Sequence, residues 1–206
     1  MALAAGRGAA APLSHLHALL ERPLVYAVVW RALAPGATRA LLARIRAELA
    51  AAPEGRMLDV GCGPRSWLER AGAAPVGVDT SPAYARALYR SGGVAVVARA
   101  KALPFRTGSF GSVWCFGLLH HLSDEEARGA LAEAGRVARP GRLVVFDAVL
   151  PRCALRRPLA WALRRLDRGG FLRGETAFRG VLPDGDWRVS RITYAWTGLE
   201  GLWCVR

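Results

Sequence analysis

Between Arg56 and Phe146 the apolar positions fall in short runs separated by helical patterns. Met57-Leu58-Asp59-Val60 reads as a buried strand ending in glycines, and Pro75-Val76-Gly77-Val78-Asp79 as a second. Val94 to Ala98, Ser112 to Phe116 and Leu143 to Phe146 supply three more. Ser81-Pro82 pairs an N-cap with a first-turn proline and opens a helix to about Arg90. Ser123-x-x-Glu126 is a capping box, and the helix behind it carries Ala127, Leu131, Ala134 and Val137 on its inner side until Pro140-Gly141 stops it. Upstream, Thr38 to about Ala51 places Leu41, Leu42, Ile45 and Leu49 on one helical face, and Pro53-Glu54-Gly55 breaks it. Strands alternating with helices of this length predict an α/β fold, a doubly wound, Rossmann-like, mostly parallel sheet with helices on both faces.

After Pro151 the pattern changes. Residues 153–168 read as a basic amphipathic helix containing Trp161, Gly169-Gly170 as a break, and Glu175 to Leu182 as a short helix. Trp187–Trp196 and Leu199–Val205 read as two strands separated by Thr197-Gly198, an antiparallel pair that completes a seven-stranded sheet. The expected organisation is a disordered leader (1–14) and a single domain (15–206). That domain divides into a helical cap (15–52), a ligand-binding core (56–150), a cap insertion (151–183) and the strand pair (186–206).

Composition changes this picture little. The 206 residues are 52% hydrophobic and 22% charged, as a globular chain requires. A formal charge of +13 raises nucleic acid or an anionic membrane as a partner. Lys101 is nevertheless the only lysine, and Ala, Gly and Arg are enriched throughout, the imprint of a GC-rich genome. Cys62, Cys115, Cys153 and Cys204 form no C-x-x-C pair and no Cys/His cluster, so a metal site is not expected, and reduced thiols fit a cytoplasmic protein. The apolar run Pro23–Trp30 is too short to span a bilayer, which takes about 20 residues.

In an open parallel sheet, ligands bind beyond the carboxyl ends of the strands. Those ends here are Asp59-Val60-Gly61-Cys62-Gly63, Asp79, Gly117-Leu118-Leu119-His120-His121 and Asp147. Asp79, about twenty residues after Asp59, suits a carboxylate that accepts from two ribose hydroxyls. A phosphate-binding turn would carry a third glycine where Ser66 stands, and Asp59 would repel a pyrophosphate, so a zwitterionic or cationic ligand fits better.

Leu58-Asp59-Val60-Gly61-Cys62-Gly63-Pro64, Gly77-Val78-Asp79-Thr80-Ser81-Pro82, Ala102-Leu103-Pro104-Phe105 and Gly117-Leu118-Leu119-His120-His121-Leu122 occur in the order and spacing of one family. Over residues 55–150 the chain resembles class I S-adenosylmethionine (SAM) dependent methyltransferases of the small bacterial UbiE/methyltransferase-11 type. The resemblance implies SAM as cofactor. It places Asp59, Gly61, Cys62 and Gly63 around the amino-acid end of SAM, Asp79 on the ribose, and Thr80 beside the adenine. Arg99, Ala100 and Leu103 would border the adenine edge, and Phe116-Gly117 would pass beneath the methionine part. His120, His121 and Asp147 are the catalytic candidates. An imidazole titrating near neutrality serves as a base when the acceptor must lose a proton, and the other reading is that the histidines shape the loop. Asp147 either holds a substrate amine or hydroxyl or caps the loop after strand five.

The chain departs from the family pattern at three positions. Arg65 stands where a third glycine is frequent, and Gly111 replaces an aspartate before strand four. Arg99 stands where an acidic residue accepts from the adenine amino group, and arginine has only donors to offer. The reading that follows is methyl transfer to a small-molecule oxygen, nitrogen or carbon. A degenerate SAM-fold binding protein and an RNA-modifying enzyme are the alternatives. Leu24, Tyr26, Val28, Trp30, Trp161 and Phe171 are candidates to line an apolar substrate pocket. Arg156, Arg157, Arg164, Arg165 and Arg168 form either a solvated face or a contact for an anionic substrate, a membrane surface or RNA.

Overall fold

The computed structural model describes residues 36–153, 155–165, 169–194 and 197–206. In chain order these contain α1 (Ala37–Ala50), β1 (Met57–Val60), α2 (Trp67–Ala71), β2 (Val76–Asp79), α3 (Pro82–Arg90), β3 (Val94–Val97) and β4 (Phe110–Phe116). A 3-10 turn (Leu119–His121) leads into α4 (Asp124–Val137) and β5 (Ala138–Val149). Then come α5 (Pro158–Arg165), α6 (Glu175–Arg179), β6 (Arg188–Thr193) and β7 (Glu200–Val205). The expected leader, residues 15–35 of the expected helical cap, and with them Leu24, Tyr26, Val28 and Trp30, lie outside the described residues.

The strand order is β3-β2-β1-β4-β5-β7-β6. Strands β1 to β5 run parallel, and β7 is antiparallel to both β5 and β6. The order reverses at β1, whose neighbours are β2 and β4, so the switch point opens above the ends of these strands. Every residue of β4 is buried, which explains its unbroken apolar run. Val113 and Cys115 pack on one face with Ala127, Leu131, Ala134 and Val137 of α4. Trp114 and Phe116 pack on the other with Leu41 and Ile45 of α1, Leu68 of α2 and Trp203 of β7. Ser81 caps α3 with Pro82 in its first turn, and the Ser123–Glu126 capping box opens α4.

Five expectations need correction. Pro140-Gly141 does not end a helix ahead of a later strand: α4 ends at Val137 and β5 begins at Ala138. The register jumps from Phe110↔Ala138 to Ser112↔Arg142, so Arg139-Pro140-Gly141 form a bulge opposite Gly111. A bulge is where a strand tolerates a proline, which has no N–H for the ladder. The basic helix starts at Pro158 rather than at 153, because the proline ring excludes a preceding helical turn, and it is described as far as Arg165. Its arginines are also less solvated than their spacing suggests. Arg164 is buried and donates to the Glu200 carbonyl at 2.7 Å, and Arg157 pairs with the Glu200 carboxylate at 3.3 Å. Arg156 is exposed, and Arg168 and the Arg165 side chain lie outside the described set. The helix expected from Glu175 to Leu182 ends at Arg179, and the strand expected over Trp187–Trp196 spans Arg188–Thr193. Glu175 there binds Arg152, Arg179 and Arg191, which hold its carboxyl down at about 2.

Candidate active site

The carboxyl ends of β1, β2, β4 and β5 bring the predicted site residues to one edge of the sheet. The turn after β1 is tied to β2 by the Gly61 and Cys62 amides, which donate to the Val78 carbonyl at 2.8 and 3.1 Å. Gly61 has φ +74°, and a Cβ there would meet the Leu118 side chain at 3.0 Å. Gly63 has φ +61°, yet a Cβ there would meet nothing within 4 Å, so this glycine faces open space. The Asp79 carboxylate draws the two loops together: Oδ2 accepts from the Gly63 amide at 3.0 Å and Oδ1 from the Ser81 amide at 2.8 Å. Thr80 beside it is exposed.

Asp59 sits lower. Its buried carboxyl accepts from the Ser66 hydroxyl at 2.6 Å, and Ser66 in turn caps α2 through the Leu68 and Glu69 amides. The position of the absent third phosphate-turn glycine therefore belongs to a helix cap. Burial raises the Asp59 pKa from 3.8 to about 7, opposed by the Ser66 hydrogen bond and reinforced by Glu69 and Asp79. Burial with the same acidic neighbours pushes the Cys62 thiol up to about 12, which makes it inert as a nucleophile. Arg65 is exposed and does not fill the turn.

The raised Asp59 pKa has a signed consequence. Between pH 4 and 7 the unfolded chain releases a proton that folded Asp59 retains, so stability is expected to fall as pH rises through this window and to level off above it. Asp59→Asn removes that fall. Its melting temperature, relative to the natural chain, should climb from pH 4 to pH 8 by the equivalent of about 2–4 kcal/mol. A difference that stays constant with pH would count against the assignment.

On the adenine side, the Ala98 amide donates to the Asp79 carbonyl at 3.1 Å and starts the segment carrying Arg99, Ala100 and Leu103. Leu103 is buried and pinned to α4, its amide donating to Glu133 at 2.9 Å and its carbonyl accepting from Arg136 at 3.1 Å. Arg99 is exposed and has no side-chain hydrogen bond or ion pair among the described residues. Gly111 also has a steric reason to replace the family's aspartate: a Cβ there would lie 2.6 Å from the Glu54 carbonyl oxygen.

The catalytic candidates separate into two kinds. His120 and Asp147 meet, with Nδ1 and Oδ1 2.5 Å apart. Asp147 is buried, and its oxygens also accept the Leu119, His120 and Ala148 amides at 2.5, 3.2 and 2.6 Å. Both oxygens are occupied within the protein, which favours its loop-holding role over direct contact with a substrate. A carboxylate only accepts, so this contact sets Nδ1–H as the His120 tautomer and leaves Nε2 as the basic atom. The His120 ring lies over the end of β4, with Cε1 3.8 Å from the Cβ position of Gly117. His121 is exposed, its ring packed at a tilt of 41° against that of His120 with centroids 4.0 Å apart.

Arg173, a residue without any motif signal, is buried at the same turn. Its guanidinium donates to the Leu119 carbonyl, the Leu122 carbonyl and Asp124. Trp161 and Phe171, expected in an apolar pocket, are 37% and 46% exposed. Among the described residues, a concavity of about 480 Å³ lies away from this edge, lined by Arg46, Pro53, Gly55 and Met57 at the amino ends of the strands.

These features fit SAM. The donor set offers a carboxylate for paired hydroxyls and an open glycine turn, and the half-buried Asp79 beside that turn would oppose a pyrophosphate.

Residues 58–146 match the model of the methyltransferase domain family. A comparison with curated protein sequences finds no match. Among solved structures, the chain is similar to a SAM-dependent methyltransferase from Thermotoga maritima, described as a possible histamine N-methyltransferase. The TM-score is 0.64 at 18% identity, over 91% of this chain and 97% of that one. It is also similar to geranyl diphosphate C-methyltransferase from Streptomyces coelicolor, with a TM-score of 0.62 at 13% identity over 81% and 79% of the two chains. Magnesium protoporphyrin IX methyltransferase from Synechocystis gives 0.59 at 20% identity over 82% and 81%. At these identities the likeness is one of fold.

Proposed function

We propose that this chain, whose residues 58–146 match the methyltransferase domain model, is a class I SAM-dependent methyltransferase that acts on a hydroxyl group of a small molecule. The observation that carries the acceptor assignment is the 2.5 Å contact between buried Asp147 and His120. An oriented imidazole is needed where the acceptor must lose a proton as it attacks, as a hydroxyl does. Two of the structural neighbours are described as acting on geranyl diphosphate and magnesium protoporphyrin IX, which supports a small molecule over a macromolecule.

SAM supplies a methyl group activated by its sulfonium charge. The chain supplies placement and a proton acceptor. Asp79 would hold the ribose hydroxyls, with Thr80, Ala100, Leu103 and Arg99 along the adenine. Gly61, Gly63, Phe116 and Gly117 would lie along the methionine part, and Asp59, through Ser66, keeps the turn in shape. His120 Nε2 takes the hydroxyl proton as the oxygen acquires the methyl group, and Asp147 holds the Nδ1–H of the resulting imidazolium. Asp147 thus acts as a positioning residue, and His121 braces the ring from its exposed side.

Residues 169–173, which reach His120 and its turn, are proposed to cover the acceptor. The four cysteines are free thiols, three of them buried, in keeping with a cytoplasmic location. No helix among the described residues is long and apolar enough to cross a membrane.

The test is transfer from methyl-labelled SAM to acceptor pairs that differ only by a hydroxyl. Label is expected in the hydroxylated member alone, in an ether oxygen. Label confined to amine or carbon acceptors would overturn the base assignment.

A further inference from the structure

The 3-10 turn Leu119–His121 is held from two sides by opposite charges. Its amide groups face Asp147, which accepts from Leu119 N and His120 N. Its carbonyl groups face Arg173, whose Nη1 donates to Leu119 O at 2.7 Å and Nη2 to Leu122 O at 2.6 Å, while Nε donates to Asp124 Oδ1 at 2.8 Å. A turn this short satisfies few of its own end groups, so its position depends on partners supplied from outside. A planar guanidinium reaches three acceptors at fixed angles, which a lysine ammonium on a flexible stem does not do.

Arg173 comes from the stretch between α5 and α6, and that stretch is itself anchored on both sides. The Arg173 carbonyl accepts from Leu150 N at 2.8 Å beside the end of β5, and Val149 and Arg173 form a parallel bridge. Phe171 N donates to the His120 carbonyl at 3.0 Å. Gly169 lies so close that a Cβ would come within 2.2 Å of the His120 ring. Three contacts therefore join residues 169–173 to the histidine and its turn.

We propose that Arg173 is a positioning residue for His120, setting the imidazole from the carbonyl side of its turn as Asp147 does from the amide side. The proposal rests on the reading of His120 as the base. It adds that the segment destined to cover the acceptor also places the base, so disturbing the cover disturbs proton transfer.

The decisive experiment follows the His120 ring by nitrogen-15 NMR in the full chain, its signals assigned by their loss in His120→Gln. In Arg173→Ala, the Nδ1–H signal is expected to weaken. Leu119–Leu122 amides should exchange with solvent at least about tenfold faster. Affinity for S-adenosylhomocysteine, read by calorimetry, should change less than about threefold. Arg173→Lys should give the same changes in smaller measure, and it carries the test if Arg173→Ala does not fold. A folded variant with His120 signals and amide exchange identical to those of the natural chain would overturn the proposal. These readouts need no acceptor, so they decide the role of Arg173 even if His120→Gln retains full turnover and the base assignment falls.

Discussion

Replacing His120 by glutamine is expected to lower the rate of methyl transfer by about 10²- to 10⁴-fold, the range a positioned general base contributes. Affinity for the cofactor should stay within a few-fold. Glutamine approximates the length of the imidazole and can still hydrogen-bond Asp147, so the turn keeps its shape while the basic nitrogen is lost. Asp147→Asn should be milder in rate. It keeps Oδ1 as an acceptor but turns an amide NH₂ toward the amide donors of Leu119 and His120, so some loss of stability accompanies it. Single-turnover kinetics with the best acceptor found would separate the two variants. A His120→Gln rate within threefold of the natural chain would assign the histidine to loop structure alone.

Asp79→Ala is expected to weaken binding of SAM and S-adenosylhomocysteine by about 100-fold or more. Two charge-assisted hydrogen bonds to ribose hydroxyls are worth about 1.5–3 kcal/mol each, and each 1.4 kcal/mol is a tenfold change in affinity. The loss has a second source. Asp79 also accepts from Gly63 N and Ser81 N, so its removal frees the glycine turn against which the ligand would lie. Asp79 is only half-buried, and the fold should survive its replacement. Calorimetric titration with both ligands checks this: micromolar binding is expected for the natural chain, and a change below threefold on Asp79→Ala would remove Asp79 from the ribose site. A natural chain that binds neither ligand would remove the cofactor assignment itself.

Most of the sheet was legible because its central strands are buried on both faces and their apolar runs stop at glycines and acids. Met57–Val60, Val76–Asp79 and the caps at Ser81 and Ser123 fall where local chemistry puts them. Pro140 misled because local rules treat it as a helix stop, while the observed bulge depends on a register with β4 that only pairing reveals. The residues at the strand ends were nameable, but their partnerships were not. His120 and Asp147 are 27 positions apart, and nothing local says that they touch. Asp147 could be read as facing a substrate until its oxygens were seen to be engaged by backbone amides. Arg173 carried no signal in a chain so rich in arginine, and its importance rests on three acceptors brought to it by tertiary folding. Arg157 and Arg164 show the same limit: helical spacing placed them on a basic face, and Glu200 draws them inward.

The place of β7 between β5 and β6 bears on how the chain is made. Among the described residues β6 pairs only with β7, yet it precedes β7 in the sequence. During synthesis β6 leaves the ribosome before the one strand that can pair with it, and β5 waits with an open edge until Glu200–Val205 arrive. Trp203, buried against Phe116 and Phe146, arrives with that segment too, so one face of the core closes late. The nascent protein therefore passes through a stage with two unpaired strand edges, the period in which it most needs a chaperone.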